Sequence, residues 1–120
     1  DDTMISKFST KFENVSKLFD HAAHNGCNYL NGHCFVSLML CVPVWNHDKI
    51  AYLAVPSGYR MWQKEESKLE LAASMVRQVM PEFSSQKNVI ILCDSWYTKQ
   101  NLVSFVEEYP NLDFIGQLRF

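Results

Sequence analysis

A short apolar run that ends in an acid constrains the fold of this chain more than any other feature. Residues 88–93 read NVIILC, and Asp94 follows directly. A segment that is apolar on both faces predicts a central β-strand buried on both sides of a sheet. In open α/β sheets, ligands bind beyond the carboxyl ends of such strands. The sequence therefore places the Asp94 carboxylate where a functional site is expected.

The composition is that of a folded domain. The 120 residues are 48% hydrophobic, which is enough for a compact core, and we expect residues 1–120 to form a single domain. The formal net charge of -2 does not decide whether the protein binds nucleic acid. An acidic metal-binding cleft lowers the net charge even of a protein that binds DNA. Cysteines within apolar runs behave as small hydrophobes, which favours a reducing, cytoplasmic setting. No stretch reaches the roughly 18 apolar residues of a membrane helix, and we expect no membrane partner.

The first half of the chain predicts a hairpin after a long connection. Residues 4–32 are rich in Lys, Ser, Asn and Gly, which indicates an irregular or partly ordered connection. The runs 33–45 and 50–55 are strand-like, and the polar residues between them predict a turn. The proline and glycine at positions 56 and 58 are expected to end the second strand.

Two helices and two strands follow. Ser67 with Glu70 three positions later has the spacing of a capping box, and Thr98 is placed to cap a second, short helix. The runs 89–93 and 112–118 predict strands. This order predicts an α/β, ribonuclease-H-like mixed sheet flanked by helices, with three strands in a meander and the fourth parallel to the first. In that topology the pair Asp1-Asp2 at the start of the sequence and Asp94 would meet in one cleft.

Three short stretches, taken in order, carry a family resemblance. They are Asp1-Asp2-Thr3 followed by Lys7, the run 32–38, and residues 91–97, which read ILCDSWY. They resemble parts of the catalytic domain of DDE transposases from bacterial insertion sequences, in which Asp-x-Thr closes the first strand and a second Asp closes the fourth. The resemblance covers nearly the whole chain. It implies a nucleoid-associated bacterial enzyme that hydrolyses DNA at transposon ends and joins the 3′-hydroxyl to target DNA.

The resemblance also implies catalytic acids and metal ions. Asp1 and Asp94 would be catalytic residues and metal ligands, and Asp2 would replace Asp1 if the strand register shifts by one residue. They would hold two Mg²⁺ or Mn²⁺ ions, roughly 3.5–4 Å apart in sites of this kind. The third acid of the family, a Glu on a helix after the fifth strand, has no counterpart in these residues. We therefore expect a fold that is incomplete at both ends and a chain that is inactive alone.

DNA contacts are expected near both groups of acids. Lys7 and Lys11 would contact phosphates, a role that does not depend on sequence, although solvated lysines are equally compatible with these positions. Trp96 and Tyr97 would stack on a base or, alternatively, pack in the core. The expected partners are double-stranded transposon ends and target DNA, with a homo-oligomer assembled on them.

Other interpretations were compared with this one. Asp94 could cap the helix that follows it, and the chain could be a non-catalytic DNA- or protein-binding module derived from a transposase. His21, His24 and Cys27 suggest zinc, but they lack the paired Cys-x-x-Cys of common structural sites. In a receiver domain the acids would be much closer in sequence than the more than 90 residues that separate Asp2 from Asp94.

Overall fold

A computed structural model describes residues 2–7, 11, 13–19 and 29–118. These residues are about 48% strand and 21% helix, which confirms the predicted α/β class. They divide into two compact units, Asp2–Glu66 and the residues from Ser67 onward. The elements are β1 (Asp2–Ser6), β2 (Ser16–Phe19), β3 (Tyr29–Asn46), β4 (Lys49–Met61), α1 (Lys68–Val79), a 3-10 turn (Met80–Glu82), β5 (Val89–Cys93), α2 (Gln100–Val106) and β6 (Leu112–Gly116). No helix in the described ranges is long and apolar enough to cross a membrane.

The first unit is an antiparallel sheet built around β3. Gly32 of β3 is opposite both Ser6 of β1 and Ser16 of β2, so these two strands lie on opposite sides of it. β4 pairs with β3 further along, on the same side as β2. A Cβ atom at Gly32 would overlap the carbonyl oxygen of Ile5, and glycine allows this close approach of β1.

The connection predicted over residues 4–32 is only partly irregular. Residues 4–6, 16–19 and 29–32 belong to strands, so the connection is partly ordered, although the sequence did not locate these strands. In β2 the side chains of Ser16 and Leu18 are buried while their neighbours are exposed. Four residues of alternation are too few to be recognised among polar neighbours, so this strand depends on its pairing with β3.

The predicted hairpin is present and longer than expected. His47 and Asp48 form its loop with φ angles of 46° and 64°, as a tight two-residue turn requires. Pro56 and Gly58 do not end β4, because the strand continues to Met61 through a β-bulge. Consecutive residues of β3 are opposite Gly58 and Pro56, so Ser57 is the extra residue that accommodates the proline.

The second unit packs helices α1 and α2 with a two-stranded parallel sheet. Ser67 caps α1 with the predicted capping box, in which the Glu70 side chain accepts from the Ser67 backbone N–H. β5 and β6 are parallel, with Val89 opposite Leu112 and Cys93 opposite Gly116. The described strands thus form two sheets, and their joining into one mixed sheet stays a prediction.

The expectation that β5 is buried on both faces is wrong for this structure. Its residues alternate, and Ile90 and Leu92 are 52% and 66% exposed. Ile115 of β6 shares this face and is exposed as well. An unbroken apolar run cannot show how many faces of a strand neighbouring elements cover, and the described residues cover only one here.

Candidate functional site

Asp94 opens a tight turn at the carboxyl end of β5. One carboxylate oxygen, Oδ1, accepts hydrogen bonds from the backbone N–H groups of Trp96 at 2.9 Å and Tyr97 at 3.4 Å. The Asp94 carbonyl oxygen accepts from the Tyr97 N–H at 3.2 Å and from the Thr98 hydroxyl at 3.1 Å. An Asp side chain that bonds to the backbone two residues on forms an Asx turn. The side chain therefore fixes the path of the chain as it leaves the strand.

The second carboxylate oxygen of Asp94 is open to a ligand. Asp94 is exposed, and no group in the described part of the chain bonds to its Oδ2 atom. A carboxylate with one oxygen held and the other open can ligate a hard divalent cation. This side chain does not cap the next helix, because the residue at the N-cap of α2 is Lys99.

Thr98 lies between the turn and the end of β6. Its hydroxyl was expected to cap α2, but it donates to the Asp94 carbonyl instead, because the turn points it back toward the strand. A Cβ atom at Gly116 would overlap the Thr98 hydroxyl oxygen and the Phe114 ring. The turn can approach the end of β6 this closely because position 116 carries no side chain.

An aromatic and basic cluster adjoins Asp94, and we call Lys68, Trp96 and Lys99 the Trp96 cluster. The ammonium groups of Lys99 and Lys68 lie 4.8 and 5.4 Å from the centroid of the Trp96 ring, within the range of cation–π attraction. Trp96 is partly buried and Lys99 is exposed. The sequence gives no sign of Lys68, which lies far from Trp96 along the chain at the start of α1.

Tyr97 has a different role from its neighbour. It is 1% exposed and packs edge to face with Trp96, at 5.0 Å between ring centroids. A side chain buried this deeply cannot offer its ring to a base. The structure therefore favours the packing interpretation for Tyr97 over the predicted DNA contact.

Asp2, the described acid of the first strand, lies in the other unit. Asp1 lies outside the described residues. Asp2 is the first residue of β1, opposite Val36, and the Cys34 thiol donates to its Oδ2 atom at 3.5 Å. The acid thus opens β1 and does not close it, because pairing with β3 continues to Ser6. Asp2 and Asp94 lie in different units, and their convergence stays a prediction.

The lysines predicted near the first acids lie at and beyond the end of β1. The Lys7 backbone N–H donates to the Asn31 carbonyl at 2.7 Å, which extends the pairing of β1 with β3, and Lys11 is exposed. Their contact with phosphates stays a prediction.

The described residues give no support to a zinc site. His21, His24 and Cys27 lie outside them, and His33 Nε2 lies 2.8 Å from the Glu13 carbonyl oxygen. Within residues 2–7, 11, 13–19 and 29–118, no group of three or more His, Cys, Asp or Glu side chains could hold a metal ion. A metal at Asp94 therefore needs ligands from outside its immediate surroundings.

Cys93 precedes the acid and is kept neutral. Burial raises the pKa of its thiol, and the negative charge of Asp94 raises it further, while the hydrogen bond with the Thr98 hydroxyl lowers it. The thiolate, not the thiol, is the nucleophile and the metal ligand. The Cys93 thiol is therefore a poor nucleophile and a poor metal ligand near neutral pH.

Comparison of the chain with known protein families, with curated proteins and with solved structures finds no match.

Proposed function

We propose that the chain is part of the ribonuclease-H-like catalytic domain of a DDE-type DNA transposase. The observation that carries the proposal is the arrangement of the Asp94 carboxylate at the carboxyl end of β5. One of its oxygens is fixed in the turn, and the other is open to a cation. Ligands bind beyond the carboxyl ends of strands in open α/β sheets, and a carboxylate there can hold the metal ions that phosphodiester chemistry uses.

The strand pairings support the same proposal. The meander β1-β3-β4 has the order of the first three strands of a ribonuclease-H-like sheet, and the parallel pair β5-β6 has the order of the last two. Parallel sheets occur with both faces covered, whereas Ile90, Leu92 and Ile115 leave one face of this pair exposed. A further element is expected to cover this face, and we propose that the pair belongs to a larger mixed sheet.

The acids would bind metal ions, and the nearby lysines would bind DNA. Asp94, through Oδ2, and Asp1 or Asp2 would hold Mg²⁺ or Mn²⁺. Two such ions supply activation of the attacking water or 3′-hydroxyl and stabilise charge on the leaving oxygen. The two carboxylate oxygens of Asp94 would have separate roles, because Oδ1 stabilises the turn while Oδ2 would bind the metal ion. The lysines of the Trp96 cluster would attract the DNA phosphates beside the acid.

The proposal is tested by Mn²⁺ titration of the whole chain, followed by paramagnetic broadening of backbone amide resonances. We expect broadening at residues 94–97 and at the residues that follow Asp2. Asp94→Asn should abolish it at residues 94–97, because the amide retains the Oδ1 acceptor but loses the charge. Asp113→Asn, which removes an exposed acid from β6, is the matched control. Broadening that persists in Asp94→Asn would refute the metal site.

A non-catalytic DNA-binding module is the second candidate, and the Trp96 cluster favours it. Two ammonium groups over a partly buried indole can attract phosphates whether or not a metal binds nearby. In that case DNA affinity should be insensitive to Mg²⁺, and Asp94→Asn should raise it slightly by removing a negative charge. Metal-dependent DNA binding that is lost in Asp94→Asn would favour the transposase.

A further inference from the structure

The distal part of the β3-β4 hairpin is a large apolar surface, and we call residues 37–46 and 49–59 the arm. Ten large apolar side chains between Met39 and Tyr59 are exposed. Trp45, Tyr52 and Tyr59 are the most open, at 77%, 71% and 60%. At 150–250 Å² for each aromatic side chain, these three alone leave roughly 400 Å² uncovered. The largest apolar patch of a typical monomer is about 300–600 Å² and is often functional, and these three side chains alone reach that size.

Both faces of the arm are apolar. Val42 is opposite Leu53 on one face, and Trp45 is opposite Ile50 on the other. A sheet that is solvated on one face would alternate apolar and polar residues. Because this alternation is absent, both faces of the arm have the composition of surfaces that are covered in an assembled protein.

The charge of the arm argues against nucleic acid as its partner. Between residues 37 and 59 the only charged side chains are Asp48 and Lys49, which lie at the tip and cancel. Binding to nucleic acid depends on several cations that neutralise phosphates. An apolar, uncharged surface instead fits another surface of the same kind.

From Leu38 onward, no strand among the described residues pairs with the outer edge of β3. β1 pairs with that edge only up to Val36. An exposed strand edge offers backbone groups to a second strand. Pro43 lacks an N–H group, which limits such pairing, and side-chain packing would therefore supply most of the contact.

We propose that the arm is a self-association surface on which a second copy of the chain docks, arm against arm about a twofold axis. A twofold interface places the same patch on both partners, so an apolar patch without charge is complementary to itself. A standard interface buries roughly 800 Å² on each partner. One face of the arm would enter the contact, and it carries Trp45, Tyr52 and Tyr59, the most exposed aromatic side chains of the arm. The association requires neither DNA nor metal.

Sedimentation velocity of the whole chain, in EDTA and without DNA, tests this proposal. We expect a dimer that dissociates on dilution within the micromolar range. The double variant Trp45→Lys, Tyr52→Lys should weaken it by at least roughly tenfold, since central aromatic residues dominate interface energies. Leu118→Lys is the matched control, because Leu118 is 63% exposed and lies beyond β6, outside the arm. A wild-type monomer at all concentrations, or equal weakening by the control, would overturn the proposal.

Crosslinking gives a second measurement that does not depend on the folding of the variants. Cys41 is exposed and lies near the middle of the outer edge of β3 along the arm. Arm-to-arm docking would bring two copies of Cys41 within reach of a short bis-maleimide, and Cys41→Ser should remove the crosslinked dimer. A dimer by sedimentation that does not crosslink through Cys41 would contradict the arm-to-arm arrangement.

Discussion

The carboxylate of Asp94 accepts a hydrogen bond from the backbone N–H of Trp96 at 2.9 Å. This bond couples the acid at the end of β5 to the aromatic ring that two lysine ammonium groups approach. The acid and the Trp96 cluster are therefore one structural feature, and a change at Asp94 alters both unless the acceptor is kept.

Substitutions at Asp94 should separate its structural role from its proposed chemical one. Asp94→Ala removes the acceptor for the Trp96 and Tyr97 N–H groups, and we expect it to lower the free energy of unfolding by about 1 kcal/mol, as loss of a capping side chain does. Asp94→Asn keeps an oxygen in that position and should have little effect. Urea denaturation followed by circular dichroism measures both. Equal destabilisation by the two variants would show that the negative charge, not the acceptor, stabilises the turn.

The lysines of the Trp96 cluster should contribute to DNA affinity. We expect Lys68→Ala and Lys99→Ala each to weaken binding to duplexes of any sequence, and each to reduce the slope of log affinity against log salt by about 1. Fluorescence anisotropy of a labelled duplex at several salt concentrations measures this. Lys87→Ala is the control, since its side chain is exposed and lies outside the cluster. An unchanged slope in both cluster variants would remove the cluster from the DNA-binding surface.

Cys93 should react slowly and only at high pH. Burial raises the pKa of this thiol, so the thiolate is less populated than in an unfolded chain at the same pH. Because the raised pKa favours the neutral folded form, this group leaves stability unchanged below its ordinary pKa and lowers it as the pH rises through the raised value. Mass-resolved alkylation across alkaline pH should modify the exposed Cys41 first. Modification of Cys93 ahead of Cys41 near neutral pH would contradict this order.

Gly116 should tolerate no side chain. Gly116→Ala places a methyl group against the Thr98 hydroxyl and the Phe114 ring. We expect a loss of about 1–3 kcal/mol of stability, as for overpacking elsewhere, or displacement of the turn that holds Asp94. Thermal denaturation measures the loss of stability, and chemical shifts of residues 94–98 detect a displaced turn. A variant that matches the wild type in both would show that the turn has room to move.

The sequence predicted the elements with strong local signals. The capping box of Ser67 and Glu70 and the hairpin between positions 33 and 55 are both present. β2 was missed because four alternating residues give no clear periodicity. The partner of Trp96 in α1, Lys68, could not be found either, since packing between distant elements leaves no trace in local spacing.

The central claim is that Asp94 and the acids of the first strand bind one metal site, and a crystal of the chain soaked in Mn²⁺ tests it most directly. Anomalous scattering locates the ion without reference to activity. We predict a peak within bonding distance of Asp94 Oδ2 that is shared with Asp1 or Asp2. A fully occupied manganese ion elsewhere, with none at Asp94, would contradict the metal site and leave the DNA-binding module as the better interpretation.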